Sequence, residues 1–593
     1  MKARSRFGPR LEPHGGVTFR LWAPAAKRVA LIADYTVPLT SVGGGWFEAT
    51  APHAGAGLRY KFRIDDELEV PDPASHFQPQ DVSGPSEVIA HDYAWRCTEW
   101  KGRPWHEAVI LELHVGTFTP AGTFPAMIER LDHLVDTGVT AIELMPLADF
   151  AGGRNWGYDG VLLYAPDSAY GRPEDLKAFV DAAHARGLLV LLDVVYNHFG
   201  PEGNYLGRYA PAFFTSHHHT PWGDAIDYRV PEVRAFAIEN ALHWLTHYRF
   251  DGLRLDAVHA INEPGDPPIL QDLSEAVGEL AAHTGRHIHL VLENDDNRAA
   301  LLDPATDRPS GKYRAQWNDD YHHAWHVLLT GESRGYYCDY VEAPRRSIAR
   351  ALATGFVYQG EPSAHRGGAA RGEPSGKLPP AAFINFLQNH DQIGNRAYGD
   401  RLTTLAAPET IEAALAITLL APSPPLLFMA EEWGSTQPFP FFCDFAGDLA
   451  EAVRRGRKAE FEAQFSGLTA ENPLPDPLAE ETFRSAVLAW DDRERAPHAA
   501  RLKLVRELLA ARHRYVVPAL ATLGGGSAEA EADGAVLRAS WRGREGETLA
   551  LLANLGAEAA PRPRAPAQVD SIWGGVPPEQ LPPWSVYWWR ERR

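Results

Sequence analysis

The chain has 593 residues, enough for three or four domains at roughly 150 residues each, and its 45% hydrophobic and 23% charged content fits a globular protein with large cores. A formal net charge of -20 excludes nucleic acid or an anionic membrane as the natural main partner, since either selects a basic face. It suits a neutral substrate. No run of about 18 apolar residues exists to span a membrane. The basic stretch from Met1 to Phe7 has no apolar core behind it, so no secretory signal is read. Cys97, Cys338 and Cys443 lack metal-ligand spacing and cannot all pair, which points to a reducing, cytoplasmic setting. Seventeen tryptophans are accounted for mainly by packing, with sugar stacking a further use.

In chain order, residues 1–97 read as a β-sandwich. Val17, Phe19 and Leu21 alternate with polar residues, Val29 to Ile32 is a short apolar run, and Leu58, Tyr60, Phe62 and Ile64 alternate again. Its strands fit sugar binding or simple packing equally. From about residue 98 to 515 the pattern becomes strand, helix, strand. Apolar runs predict strands at Val109 to Val115, Val139 to Met145, Leu188 to Val194, Gly252 to Asp256, Ile288 to Glu293, Tyr313 to Trp317, Phe383 to Gln388 and Pro425 to Met429. Helical periodicity predicts helices at about Thr123 to Thr137 with Gly138 as the stop, from Pro173 to Gly187, and from Pro231 onward. Eight strands separated by helix-length segments imply parallel crossovers and an α/β fold, a (β/α)8 TIM barrel. An open doubly wound sheet is the alternative, weakened because no Gly-rich phosphate loop follows any strand. Segments 196–230 and 359–381 are insertions, the second rich in Gly and Pro and open to a functional or a disordered reading. A helix near 500–511 closes the barrel region, and 516–593 reads as a small C-terminal β domain with strands at Ala535 to Trp541 and Thr548 to Leu552.

Catalytic groups of such barrels gather at the C-terminal ends of the strands. Four of these strands end in carboxylates: Asp193, Asp256, Glu293 and Asp391. Arg254 and Asp256 alternate with Leu253 and Leu255, so the two charges share the inner face. An inward cation beside an inward carboxylate is costly unless it serves a purpose. Four strand-end carboxylates, two of them near His198 and His390, exceed what packing requires.

The segments Asp193-Val-Val-Tyr-Asn-His198, Gly252 to Asp256, Leu290-Val-Leu-Glu293 and Gln388-Asn-His-Asp391 together resemble the conserved regions of the α-amylase superfamily of glycoside hydrolases. The resemblance implies Asp256 as nucleophile, Glu293 as general acid/base and Asp391 as the carboxylate that holds sugar hydroxyls. A retaining glycosidase needs one such carboxyl ionised and another protonated, about 5–5.5 Å apart. It also implies sugar contacts from His198 and His390, and stacking by Tyr158.

Glu112-Leu-His-Val-Gly-Thr-Phe-Thr119, Asn155-Trp-Gly-Tyr-Asp159, Asn197-His-Phe-Gly-Pro-Glu-Gly-Asn-Tyr205, Trp317-Asn-Asp-Asp320 and Asn389-His-Asp-Gln-Ile-Gly-Asn395 are similar to the malto-oligosyltrehalose trehalohydrolase family. That family hydrolyses the α-1,4 bond next to a terminal trehalose. The implied substrates are malto-oligosyltrehalose and related α-glucans, and the implied functional partner is a malto-oligosyltrehalose synthase. Implied substrate-binding residues are Tyr158, His198, Arg254, His259, Asn318, Asp319, Asp320, His390, Gln392 and Asn395. A glycogen branching transglycosylase uses the same barrel and is the alternative; a non-catalytic glucan-binding protein is the third reading, opposed by the intact carboxylates. Met429-Ala-Glu-Glu-Trp433 departs from the family pattern, which has glycine where Ala430 stands, and this puts the local backbone angle in question. No cofactor and no metal site is expected. Asn197 occupies the place of a calcium ligand in many amylases, but no complete oxygen cage is seen. The run His217-His-His219 is read as a polar loop, because adjacent histidines cannot all face one ion.

Overall fold

Apolar runs bounded by Gly, Pro and charged residues become eight short buried strands that close on themselves. The computed structural model describes residues 5–220, 223–261, 268–303, 311–464, 473–563 and 570–592. Of the His217–His219 run, the side chains of residues 218 and 219 lie outside what is described.

The barrel strands are β1 (Ile110–Leu113), β2 (Ala141–Leu144), β3 (Leu189–Val194), β4 (Gly252–Leu255), β5 (His289–Leu292), β6 (Ala315–Trp317), β7 (Phe383–Phe386) and β8 (Pro425–Phe428), parallel throughout and closed between β8 and β1. The open-sheet alternative is thereby set aside. The period of two sorts the side chains. Ile110, Ala141, Leu189, Leu191, Val291, Ala315, Trp317, Ile384, Phe386 and Leu426 form the barrel's inner cluster, while Leu111, Leu253, Leu255 and Leu290 join the outer core under the helices. Registers place Glu112 beside Glu143 and Asp193 beside Arg254 on the inner face.

Helices α1 (Pro173–His184) and α2 (Pro231–His247) each open on proline at a first helical position, where its missing N–H costs nothing. The single helix expected over Thr123 to Thr137 is two, Phe124–Ile128 and Leu131–Thr137. Arg130 lies at the break, where its N–H closes a tight turn on Met127 O and its guanidinium sits 4.7 Å from the Trp490 ring centroid. A contact from far along the chain thus overrides local periodicity. Gly138 ends the second piece at φ 101°, as expected of a left-handed stop.

Before the barrel, Val17–Trp22 and Trp46–Ala51 lie in one antiparallel sheet and Val29–Ile32 and Arg59–Ile64 in another, giving the expected sandwich. After it, Ala528–Asp533, Val536–Arg542, Glu547–Asn554, Ser585–Arg592 and Asp570–Trp573 form a five-stranded sheet. One continuous buried cluster links all three parts. Phe7 packs edge-on against Phe236 of α2, and Trp588 donates its indole N–H to Ala416 O of a barrel helix.

The 359–381 insertion is ordered by specific pairs. Glu361–Pro362 pairs with Ala370–Arg371, and Arg366 and Arg371 reach back to Asp295 and Asp296, just past β5. No helix among the described residues is long and apolar enough to cross a membrane.

Candidate active site

The site begins inside the barrel with Arg254, which is fully buried on β4 with its guanidinium 4.1 Å from the Trp317 ring centroid. Its Nη1 donates to Asp193 Oδ2 at 2.8 Å and to Asp256 Oδ1 at 2.7 Å. Asn197 Nδ2 donates to Asp256 Oδ2 at 3.1 Å. Donors therefore face both oxygens of Asp256. Burial pushes the Asp193 carboxyl up to about 7 against the pull of Arg254, and Tyr158 O–H donates to it at 2.7 Å.

The chain turns sharply after Asp256. Ala257 takes the left-handed conformation, φ 42° and ψ 46°, which is costly for any residue with a Cβ. That turn aims its N–H at Glu293 Oε2, 2.6 Å away. Burial raises the Glu293 carboxyl to about 7; Arg254 pulls it down and the neighbouring Asp256 pushes it up. One carboxyl thus has hydrogen-bond donors on both oxygens while its neighbour holds a proton near neutrality, an arrangement that suits a glycosidase.

The Asp391 side begins with Asn389, which follows the longer helix α3 (Asp319–Thr330) in the chain and caps the short helix α4 (His390–Gly394). Asn389 Oδ1 accepts from Asp391 N, and Gln392 Oε1 accepts from Asn389 N, a reciprocal cap that fixes where Asp391 points. His390 Nδ1 meets Glu112 Oε1, its backbone N–H donates to Glu112 Oε2 at 3.1 Å, and its Nε2 lies 3.4 Å from Asp391 Oδ1. Burial alone would strip the ring of its proton, but Glu112 and Asp391 outweigh it and hold the pKa well above the ordinary histidine value. Burial likewise opposes charge on Asp391, and the His390 cation, with Arg254, brings its pKa below the ordinary value.

A cavity of about 560 Å³ opens at this mouth, lined by Tyr158, His198, Asp256, Asp391 and Asn395. Its opposite wall is apolar: Phe441, Phe445, and Leu449 and Val453 from the helix Gly447–Gln464 (α5), with Arg457 at the edge. Nothing in the sequence marked that wall, because it follows β8 without a motif and only closure of the barrel brings it opposite Asp391. Glu112 and Asn197 were likewise not read as site residues, although both sit inside motifs.

The structure distributes the expected substrate-binding residues unevenly. Tyr158 lines the cavity, yet its ring already stacks on His390 with centroids 5.1 Å apart. His198 lines it too, but its Nε2 faces Tyr158 O at 2.8 Å and its Nδ1 faces Asn197 Oδ1. His390 is 1% exposed and turned to two carboxylates, Glu112 and Asp391. Arg254 is beneath the mouth. Asn318 is buried, donating to Gly355 O and Asn385 Oδ1. Asp320 is fully buried and accepts from Asn297 Nδ2, Tyr340 O–H, Arg371 Nη1, Val357 N and Tyr358 N. Burial and partner count make both of these scaffold; the sequence rule placing strand-end polar residues in the mouth fails for them. Asp319, one residue earlier, is half-buried; burial, then Glu293 and Asp295, drive its pKa well above the ordinary value. His259 is exposed and its Nδ1 accepts from Asp295 N at 3.3 Å. Gln392 is engaged in the cap, and Asn395 is exposed at the cavity edge.

Barrel, carboxylate ring and sandwich together define a glycoside hydrolase of the α-amylase kind. The description "Alpha amylase, catalytic domain" matches residues 98–222, "Carbohydrate-binding module 48 (Isoamylase N-terminal domain)" matches 6–75, and a domain of unknown function matches 523–588. A malto-oligosyltrehalose trehalohydrolase of Deinococcus radiodurans is 44% identical over 510 residues, covering 85% of this chain and 82% of that protein. One from Saccharolobus solfataricus is 40% identical over 490 residues, covering 82% and 83%. The chain belongs to the malto-oligosyltrehalose trehalohydrolase family. A crystal structure from Salmonella typhimurium, provisionally assigned as an alpha amylase, superposes with a TM-score of 0.95 at 44% identity over 99% of this chain and 100% of that one. A 1,4-alpha-glucan branching enzyme of Mycobacterium tuberculosis matches only 41% of this chain, at 35% identity.

Proposed function

We propose that this chain hydrolyses the α-1,4-glucosidic bond next to the terminal trehalose of malto-oligosyltrehalose, releasing trehalose with retention at the cleaved anomeric carbon. The observation that carries the chemistry is the pairing of Asp256, held by Arg254 and Asn197, with a Glu293 carboxyl raised to about 7. Asp256 attacks the anomeric carbon while Glu293 gives its proton to the leaving trehalose oxygen. Glu293, now a carboxylate, takes a proton from water, which attacks the glycosyl ester and frees Asp256. Asp391, kept anionic by His390, accepts hydrogen bonds from the hydroxyls of the sugar being cleaved.

Specificity for the trehalose end follows the names of the relatives that match across most of the chain, whereas the branching enzyme matches less than half of it. Asp319, Asn395 and His259 are the polar groups offered to that end. We assign supply of the substrate to a malto-oligosyltrehalose synthase. A cytoplasmic site of action is supported by three cysteines that stay unpaired. Product analysis tests the reading: trehalose should appear from trehalose-ended malto-oligosaccharides. Equal kcat/KM on the plain oligosaccharide of the same length would leave a general α-glucan hydrolase, and new α-1,6 branches would leave a branching enzyme.

A further inference from the structure

Three histidines from separate parts of the chain meet where the N-terminal region lies against the barrel's outer helices. His76 lies between the sandwich strands Leu68–Val70 and Ser86–Glu87, His91 lies just after the second of them, and His243 comes from the middle of α2. One ring nitrogen of each lies within 4.8 Å of those of the other two. His91 Nε2 and His76 Nδ1 are 3.1 Å apart and share a hydrogen bond, whose proton a bound metal ion would displace. A tetrahedral ion with metal–nitrogen bonds of about 2.0–2.1 Å needs nitrogens about 3.3 Å apart, so one pair stands at bonding separation and the third must move inward by up to about 1.5 Å.

His243 supplies the independent sign. It is 6% exposed, and its Nε2 is buried with no hydrogen-bond partner. A buried polar nitrogen left unpaired costs stability, and such groups are rare without a ligand to explain them. Burial also holds all three rings below the ordinary histidine pKa, so each has a lone pair to offer at neutral pH.

We propose that His76, His91 and His243 bind one divalent zinc-class transition-metal ion that ties the N-terminal region to α2. The donor set selects the class. Three imidazoles without thiolate or carboxylate suit zinc, cobalt, nickel or copper and are poor ligands for calcium or magnesium. Three protein ligands leave a fourth position for water. Surrounding groups set the strength. His247 stacks on His91 with centroids 4.0 Å apart, and the Tyr164 ring lies against His243. Lys177 of α1 places Nζ 3.1 Å from His91 Nδ1, a cation that weakens the site, with Glu174 and Asp92 as its nearest acidic neighbours. The binding is therefore moderate and separate from the reaction, whose groups lie at the barrel mouth.

The test uses the full chain stripped with chelator, in a background where His217→Ala, His218→Ala and His219→Ala remove the run of three adjacent histidines. Cobalt(II) titration should give one equivalent per chain with the intense visible bands of a tetrahedral site, displaced by zinc, and zinc should raise the thermal midpoint. His91→Gln, at a half-buried position that spares the fold, and His243→Gln should each weaken cobalt binding at least ten-fold, the loss seen even for outer partners of metal ligands. Lys177→Met should tighten it. Far-UV circular dichroism would verify that each variant is folded. Octahedral cobalt spectra, less than one equivalent bound, or unchanged affinity in folded His91→Gln would overturn the proposal.

Discussion

The ends of β4 and β6 are built from similar sequence and come to lie in opposite settings. Asp256 follows β4 directly, and Asp320 follows β6 at the first turn of α3. Each is an acid close behind a short apolar strand, and each is paired with an arginine. Asp256 keeps 16% of its side chain exposed and faces the cavity; Asp320 has none exposed and is surrounded by five donors. An acid that has filled its lone pairs with protein donors has none left for substrate. The lesson is that a strand-end position nominates a carboxylate, and the unsatisfied part of its hydrogen-bonding capacity decides its work.

Substitution can break or sharpen this contrast. The largest effect is expected at Asp256→Asn, which should lower kcat by roughly 10⁴-fold or more while the melting curve barely moves. Unfolding, or near-normal turnover, would place Asp256 on the scaffold side with Asp320. Next comes Glu293→Gln, expected to cost roughly 10²–10⁴-fold on the natural substrate and far less in glycosylation by a substrate with an activated aryl leaving group. The wild-type pH profile adds a check. Glu293 must carry its proton to act as acid, and its pKa is about 7, so kcat/KM should fall about ten-fold per unit as pH rises beyond that value. A limb unchanged in Glu293→Gln would assign it to another group.

On the scaffold side, Asp320→Ala should destabilise the fold by about 3–5 kcal/mol, because Arg371 keeps only Asp295 of its two acidic partners and the Tyr340 O–H and the Val357 and Tyr358 N–H groups lose their buried acceptor. Denaturant melts would show it, and a stable variant with changed substrate preference alone would return Asp320 to the mouth. Asn395→Ala is milder: preference for the trehalose-ended substrate should narrow by about ten-fold, the worth of one lost hydrogen bond, with the plain-glucan rate little changed. Smallest of all, Ala430→Gly should stabilise by less than about 1 kcal/mol. Ala430 sits at φ 70°, so glycine relieves left-handed strain but gives back entropy and a buried methyl contact.

The same contrast explains what could be read from the chain. All eight barrel strands were legible because each is a short apolar run between helix-length segments. Arg254 and Asp256 were legible because strand alternation turns both inward. The departure at Ala430 was legible as a question about backbone angle, and its positive φ answers it. The break at Arg130 was not legible, because Trp490 supplies it from 360 positions away. The apolar wall from Phe441 to Val453 was hidden for a similar reason. Its residues carry no chemistry of their own and gain a role only from what stands opposite. His390 shows the intermediate case: its motif marks the strand end, but nothing in the sequence pairs it with Glu112 of β1.

Arg254 serves two acids with one nitrogen, and this shapes a whole reaction cycle. When Asp256 becomes an ester it gives up its charge, and a guanidinium with a single counter-ion would then be stranded in the barrel. Here Asp193 stands ready. Its Oδ2 accepts from the same Nη1, so the guanidinium keeps a carboxyl partner through the ester. Glu293, having protonated the leaving oxygen, carries the charge that Asp256 gave up, and the interior keeps a nearly constant total as the glycosyl group comes and goes. The barrel carries its own ballast.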